Sequence, residues 1–412
     1  MNSRKIEEIV NDQRQIFLTK DRGMERDISL KKYFKTKQIT VISGIRRSGK
    51  STLLRQIASK LKDFYYINFD DERLIDFIVS DFNELMIVWQ KKFISKNILI
   101  DEVQNIDHWE RFLRRIHDEG YKIFITGSNA KLLSSELATH LTGRYSKIEL
   151  YPFSFKEFLA FDKLAIGEMT SSLKSKILKF FDDYLQKGGF PEYLKYGEAE
   201  FVRRTYEDII YKDIVARFGI REVKQFQQLT GFIFTNFTRE ANYNALSKIL
   251  AIKSPMSVRK YIGFLEESFL IFELFKYDFS VKKQIRANKK IYVIDNGMRN
   301  NVAFSFSEDR GCLLENAVFI ELKRRSYEGF YFQGKKECDF LVKEKSVITQ
   351  AIQVTKMLDF NNEKREIGGL LEAMETFKLK EGLILTDNQE EERKIGKKSI
   401  KILPVWKWLL EN

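Results

Sequence analysis

The chain has 412 residues and a mass of 48.8 kDa, which is too long for one compact domain of ordinary size. Its 43% hydrophobic and 31% charged residues exclude a disordered polymer, and its two cysteines and three histidines exclude a disulfide framework or a structural zinc site. The net charge of +13 favours an anionic partner, with nucleic acid as the first candidate, although a lysine-rich proteome or a hot habitat explains it equally well.

No apolar run reaches the ~18–20 residues that a membrane-spanning helix needs. The first residues, MNSRKIEEIVNDQRQ, are polar, unlike the apolar core of a signal peptide. Since few cysteines also favour a reducing compartment, we expect a cytoplasmic protein with no membrane partner.

The first half of the chain changes pattern twice. Residues 1–36 are charged and have apolar residues at helical spacing, so they predict a helical lead-in. Over 37–153, short apolar strands alternate with amphipathic helices, which is typical of a parallel sheet covered on both faces. We therefore predict an α/β core in this range.

The remaining chain divides into three stretches. Residues 154–240 are predicted to form a helical lid region, broken by the sequence GGFP at 188–191. Residues 241–288 predict two short helices, a tight connection and an apolar strand, with Ser254 and Pro255 opening the second helix. Strands return over 289–412 around one long helix, which predicts a second α/β unit.

A phosphate-binding loop is predicted at GIRRSGKS, which fits the pattern G-x-x-x-x-G-K-[ST] after an apolar strand and at the start of a helix. Backbone N–H groups and the helix dipole would hold the phosphates of ATP or ADP, with the lysine on the outer phosphates. The residues expected to contact nucleotide are Gly44, Ile45, Arg46, Arg47, Ser48, Gly49, Lys50, Ser51 and Thr52.

Two carboxylates follow the apolar strand NILI. Successive strand residues face opposite ways, so Asp101 and Glu102 have different roles. We expect Asp101 to hold Mg²⁺ together with Ser51, and Glu102 to orient and deprotonate the attacking water. The sequence thus predicts Mg²⁺-dependent ATP hydrolysis.

Two further residues are candidates for reading the γ-phosphate. Asn129 follows the next apolar strand and is expected to contact the phosphate or the water, although an ordinary turn explains the same residues. Arg144 is expected to stabilise the transition state in cis or across a subunit boundary of an oligomer. A solvated surface arginine is the alternative for Arg144.

Four segments in order carry a resemblance to a known family: GIRRSGKSTLLRQ, ILIDEVQNIDHWERFLRRIHD, ITGSNAKLLSSELATHLTGRYSKIELYPFSFKEFL and GGFPEYL. Together they resemble the predicted archaeal and bacterial ATPases of the AAA-type superfamily, over nearly the whole chain. The resemblance implies a P-loop ATPase core over 37–153, a winged helix over 241–288 and a C-terminal domain over 289–412 similar to restriction-endonuclease-like nucleases.

Double-stranded DNA is a candidate partner of the middle region. In a winged helix, Lys253, Ser257, Arg259 and Lys260 would lie near the exposed start of the recognition helix. Between Lys253 and Arg299 there are ten Lys or Arg and five Asp or Glu, which suits phosphate contacts. A protein partner, or a purely structural winged helix, is the alternative.

The nuclease resemblance places a degenerate metal site at Glu315, Asp339, Gln353 and Thr355. Gln353 stands where a second carboxylate is expected and Thr355 where a lysine is expected, and neither replaces the missing group. Glu337 shares a face with Asp339 and is a substitute ligand. We expect this domain to lack nuclease activity.

Three hypotheses follow. The chain is a Mg²⁺-dependent ATPase whose nucleotide state controls the winged-helix and nuclease-like modules, on DNA or with a protein partner. Alternatively, it is a DNA-binding or protein-binding scaffold with a structural nucleotide, or an ATP-gated metal-dependent nuclease.

Overall fold

The computed structural model describes residues 1–127, 141, 143–303 and 309–411. It divides into two compact units, each with its own core. The first comprises Met1–Tyr151 with Glu267–Phe269, and the second comprises Pro152–Glu266 and Leu270–Asn412.

The first unit is built on a five-stranded parallel sheet in the order β2-β3-β4-β1-β5, which confirms the predicted α/β fold class. All six residues of β1 are buried, as expected for a strand covered on both faces. The strands are β1 (Ile39–Gly44), β2 (Tyr65–Asn68), β3 (Asn97–Asp101), β4 (Lys122–Gly127) and β5 (Tyr145–Leu150).

Within the described residues, five helices accompany this sheet. They are α1 (Ser3–Thr19), α2 (Lys31–Lys35), α3 (Lys50–Ala58), α4 (Phe82–Lys92) and α5 (Trp109–Asp118). Because the strands are parallel, the carboxyl ends of β1 to β4 meet at one edge of the sheet, which is where open α/β sheets place their ligands.

The predicted lead-in is a packed part of the first unit. Helix α1 buries Ile6, Ile9 and Val10 in the same apolar core as the sheet strands. The Gln13 side chain donates to the Asn68 carbonyl and accepts from the Asn68 N–H at 2.9 and 2.8 Å. These two hydrogen bonds attach α1 to the end of strand β2.

The second unit begins with helices, as predicted. They are α6 (Phe155–Phe161), α7 (Ser171–Lys187), α8 (Pro191–Tyr196), α9 (Glu200–Asp208), which continues as a π-helix over Ile209–Ala216, and α10 (Val223–Thr235). Among the residues that the structure describes, no helix has the length and apolarity to cross a bilayer.

Two helices and a three-stranded sheet follow. Helices α11 (Tyr243–Ile249) and α12 (Pro255–Glu267) precede an antiparallel sheet in the order β6-β8-β7, formed by β6 (Glu240–Ala241), β7 (Ile271–Phe275) and β8 (Lys289–Val293). Helix α13 (Val281–Arg286) connects β7 to β8. The expected domain boundary at 288/289 therefore falls inside one sheet, because β8 pairs with β7 and not with the strands that follow it.

The remaining strands form a six-stranded mixed sheet in the order β13-β14-β12-β11-β10-β9. They are β9 (Glu328–Gln333), β10 (Glu337–Glu344), β11 (Val347–Val354), β12 (Glu381–Thr386), β13 (Glu391–Ile395) and β14 (Lys398–Pro404). The accompanying helices are α14 (Asn296–Val302), α15 (Arg310–Arg324), α16 (Glu363–Thr376) and α17 (Val405–Leu410).

The GGFP break is a packing junction of the second unit. Gly188 has φ +69°, and a Cβ there would lie 2.0 Å from Asp295 Oδ1. The Asp295 carboxylate accepts from the N–H groups of Gly189 at 2.7 Å and Met298 at 2.9 Å. The glycine is needed here both for its backbone angle and for the space that Asp295 occupies.

Replacing Gly188 with alanine should therefore destabilise the second unit by about 2–4 kcal/mol, because strain and a displaced buried carboxylate add together. Gly197 is a matched control: its φ is +74°, but nothing lies within 4 Å of an added Cβ. Gly197→Ala should cost about 1 kcal/mol. Urea unfolding measures the free energy of unfolding of both variants. An equal loss of stability in the two variants would contradict the role given to Asp295.

Candidate active site

The predicted phosphate loop lies between β1 and α3, at the carboxyl edge of the sheet. Gly44 has φ +155°, and a Cβ there would lie 2.1 Å from the Leu150 carbonyl oxygen of β5. Gly49 has φ +96° and opens α3 without a side-chain cap. The first N–H groups of α3 therefore have no side-chain acceptor from the N-cap residue, which suits them to phosphate oxygens.

Lys50 is almost fully buried at the base of the loop. Its side chain is 5% exposed, and Nζ donates to the carbonyl oxygens of Gly44 at 3.2 Å and Ile45 at 3.1 Å. Carbonyl oxygens only partly compensate a buried ammonium. A phosphate would supply the opposite charge.

The loop is held from outside by Arg26, which the sequence did not single out. Its guanidinium donates to the carbonyls of Ser48 at 2.9 Å and Tyr151 at 2.8 Å. The Ser48 hydroxyl is buried and has no hydrogen-bond partner among the described residues. Since buried hydroxyls nearly always have a partner, this orphaned group also fits a ligand in the loop.

Ser51 and Asp101, the two expected Mg²⁺ ligands, lie next to each other. Asp101 accepts hydrogen bonds from the hydroxyls of Ser51 and Thr126, at the ends of three neighbouring elements. Burial raises the pKa of Asp101 and the nearby Glu102 charge raises it further, while Thr126, Ser51 and Lys50 oppose the rise. Like the Lys50 ammonium, a bound cation would lower the pKa of Asp101 and favour its ionised form.

Glu102 lies at the end of β3 with φ +51°, a strained angle for a residue with a side chain. Its N–H donates to Thr126 Oγ1 at 3.1 Å, and its carboxylate accepts from the Gln104 side chain. Asp70, which follows β2, lies nearby: burial and then the Glu102 charge raise its pKa, while Arg46 lowers it. Asp70 therefore lies close enough to interact electrostatically with both Glu102 and Arg46 of the loop.

The residues present fit Mg²⁺ bound together with nucleotide. No group of three or more His, Cys, Asp or Glu side chains within 1–127, 141, 143–303 and 309–411 is arranged to hold a metal ion. Mg²⁺ in phosphate-transferring sites is commonly held by one or two protein oxygens plus substrate phosphates. The pair formed by Ser51 and Asp101 matches that arrangement.

Two predicted residues are not placed in this site. Asn129 lies outside the described residues. Arg144 precedes β5, its carbonyl accepts from the Ile39 N–H, and its guanidinium pairs with Asp118 at 3.5 Å. Because β5 runs parallel to β1 and Arg144 precedes β5, Arg144 lies at the amino-terminal edge of the sheet, opposite the loop. The length of β1 that separates this edge from the loop is roughly 16 Å. The expected role in cis does not fit this position.

The predicted DNA-contacting residues lie around the start of α12. Lys253, Arg259 and Lys260 are exposed, whereas the Ser257 hydroxyl lies 3.1 Å from that of Ser254, which caps the helix. The N-cap and the first-turn proline are thus confirmed. Of the ten basic residues counted from Lys253, three are buried, so that count overstates the exposed charge: Lys289, Lys290 and Arg299.

Three of the four predicted nuclease-like residues line one cavity of about 580 Å³ in the second unit: Glu315, Asp339 and Gln353. Thr355 lies elsewhere, and its hydroxyl donates to the Met357 carbonyl at 3.3 Å. Glu337 belongs to the cluster, and so does Lys290, which the sequence did not single out. Lys290 lies on β8, a strand of another sheet, so its position in the sequence did not indicate that it would join this cluster.

Comparison with family models identifies two regions. Residues 36–159 match the model of an AAA domain, AAA_14, and residues 178–309 match a domain of unknown function, DUF8612. Among solved structures, the replication initiator DnaA bound to AMPPCP and single-stranded DNA is 13% identical, with a TM-score of 0.29 over 57% of this chain and 83% of its own. The Aeropyrum pernix Orc1 protein in complex with DNA is 10% identical, with a TM-score of 0.29 over 73% of this chain and 90% of its own.

Two relatives are similar over nearly their whole length. An uncharacterized protein of Haemophilus influenzae is 31% identical, with 90% of this chain and 94% of the relative covered. The uncharacterized protein MJ1544 of Methanocaldococcus jannaschii is 36% identical, with 98% and 95% covered. With its N-terminal AAA domain and this similarity along both chains, the protein belongs to the family that includes MJ1544 and its Haemophilus relative.

Proposed function

We propose that the chain is a Mg²⁺-dependent ATPase whose nucleotide state controls the modules of its second unit. The AAA domain supports nucleotide binding. The observation that carries the hydrolytic part is the set of groups at the carboxyl edge of the sheet: buried Lys50, the hydrogen-bonded pair of Ser51 and Asp101, and Glu102.

Each group has one task in this proposal. Lys50 leaves the loop carbonyls and neutralises the outer phosphates, while the N–H groups at the start of α3 hold the phosphate oxygens. Ser51 and Asp101 would hold Mg²⁺, which supplies charge neutralisation at the phosphates. Glu102 accepts the proton of the attacking water, and Asp70 places a second carboxyl group near Glu102. The measurement is steady-state ATP hydrolysis by wild type and Glu102→Gln.

Double-stranded DNA is the partner that we propose for the second unit. We infer a winged helix that extends beyond the expected 241–288 to the end of β8, from the order of α11, α12 and the antiparallel strands β7 and β8. Exposed basic residues lie on two parts of it, the start of α12 and the helix between the strands. They are Lys253, Arg259, Lys260, Lys282, Lys283 and Arg286.

Neutralising two of these cations gives a direct test. The Arg259→Ala, Lys260→Ala double variant should lower the slope of log K against log salt by about 2, since each phosphate contact contributes about 0.9. Lys394→Ala with Lys397→Ala is the matched control, because it removes the same charge from the exposed end of the β13–β14 hairpin. Fluorescence anisotropy with duplex DNA measures both slopes, and equal slopes would contradict α12 as the contact.

The same hydrolysis assay, together with ATP and ADP titrations, separates the DNA-coupled ATPase from the protein-coupled ATPase and from the scaffold. Turnover that rises with duplex DNA at near-physiological salt supports a DNA-coupled ATPase, whereas turnover indifferent to DNA favours a protein partner. Equal affinity for ATP and ADP without turnover would favour a scaffold with a structural nucleotide.

A further inference from the structure

The cavity of the second unit holds a lysine where the nuclease resemblance implies a metal ion. Lys290 is buried, with 5% of its side chain exposed. Its ammonium lies 2.6 Å from Glu337 Oε1, 3.0 Å from Asp339 Oδ1 and 3.2 Å from Glu315 Oε1. A lysine ammonium has three N–H donors, and here three carboxylate oxygens surround it.

The carboxylates are in turn held in place by other groups. Glu315 accepts from the Tyr292 hydroxyl at 2.7 Å, and the second oxygen of Asp339 accepts from the Val354 N–H at 2.9 Å. The cluster is therefore a hydrogen-bonded network that already contains a cation, the Lys290 ammonium, at its centre.

Gln353, at the expected position of a second metal carboxylate, is used in the same network. Its Oε1 accepts from the Asp339 N–H at 3.2 Å, and its Nε2 donates to Glu366 Oε2 at 2.7 Å. Both ends of the amide are engaged. A glutamate at position 353 would place a second carboxylate against that of Glu366, and the two would repel each other. The neutral amide of Gln353 avoids this repulsion.

Charge balance also opposes a metal. Burial by itself lowers the pKa of Lys290, but Glu315, Asp339 and Glu337 more than offset it and the pKa lies well above the usual value. The ammonium lies within 3.2 Å of oxygens of all three carboxylates, so a divalent cation bound by them would meet a like charge at contact distance.

We infer that the Lys290 ammonium is the permanent cation of this carboxylate cluster and takes the place of a metal ion, so that the nuclease-like part of the chain is a metal-independent module. The residues present do not fit a divalent metal, and among the described parts of the chain no three-carboxylate metal group is found. The inference does not depend on the proposed ATPase activity.

Mn²⁺ binding to the full chain, followed by electron paramagnetic resonance without nucleotide, tests this. All proteins carry Asp101→Asn, so that the nucleotide site loses its carboxylate ligand for Mn²⁺. The parent and Lys336→Met, a control lysine lining the same cavity, should bind no Mn²⁺ at the cluster. Lys290→Met should bind one Mn²⁺ with an affinity at least tenfold above that of any weak binding by the parent. Adding Asp339→Asn to Lys290→Met should abolish that binding.

Two results would overturn the inference: Mn²⁺ binding by the parent that Asp339→Asn removes, or a folded Lys290→Met protein that binds Mn²⁺ no better than the parent. If Lys290→Met proves too unstable for titration, thermal melting decides. Loss of the ammonium should lower Tm by roughly 10 °C, and adding Glu337→Gln and Asp339→Asn should restore part of it. No recovery would show that Lys290 is not a counterion.

Discussion

Replacing Lys50 with alanine should weaken ATP binding by about 100-fold or more, which corresponds to about 3 kcal/mol. The buried ammonium donates to the loop carbonyls of Gly44 and Ile45, and charge-assisted hydrogen bonds to phosphate are strong. Titration with a fluorescent ATP analogue measures the loss.

Lys60→Ala is the matched control for this variant. Lys60 follows the same helix and makes only an exposed ion pair with Glu25 at 3.4 Å. Its loss should leave nucleotide affinity within twofold of wild type. A Lys50→Ala protein that melts like wild type and still binds ATP tightly would remove the phosphate loop from the proposed mechanism.

Glu102→Gln should separate binding from turnover. The glutamine keeps the size and the hydrogen-bonding reach of the side chain but cannot accept a proton, so ATP affinity should persist while kcat falls by about 10²–10⁴-fold. Single-turnover hydrolysis of radiolabelled ATP measures the chemical step directly.

Asp70→Asn tests the other carboxylate at the loop. If Glu102 is the base, this variant should lose no more than about tenfold in kcat, since it removes a neighbouring charge and not the proton acceptor. Full turnover by Glu102→Gln together with a dead Asp70→Asn would transfer the role of base to Asp70.

The loop and the end of β3 could be predicted because local patterns specify them. Glycines at fixed spacing, one lysine and a flanking strand and helix are contained within a short segment, and the pair of carboxylates follows an apolar run. The same locality explains why the predicted alternation of strands and helices over 37–153 could be read from the sequence.

The other site residues depend on strand order, which no local pattern gives. Thr126 reaches Asp101 only because β4 lies beside β3 in the sheet. In the same way, Asp70 lies near Glu102 only because β2 is the other neighbour of β3. Arg144 was expected near the loop because it follows β4 in the chain, but it precedes β5, at the opposite edge of the sheet. Lys290 joins its cluster from another sheet.

Helix α1 has a practical consequence for dissecting the protein. A fragment that starts at residue 37, where the strand and helix alternation begins, would leave uncovered the face on which Ile6, Ile9 and Val10 now pack. Apolar surface of that kind drives self-association, and the strand end that Gln13 holds would also be released. The isolated first unit should therefore be expressed from residue 1, since a shorter piece would precipitate for reasons unrelated to the groups at its nucleotide loop.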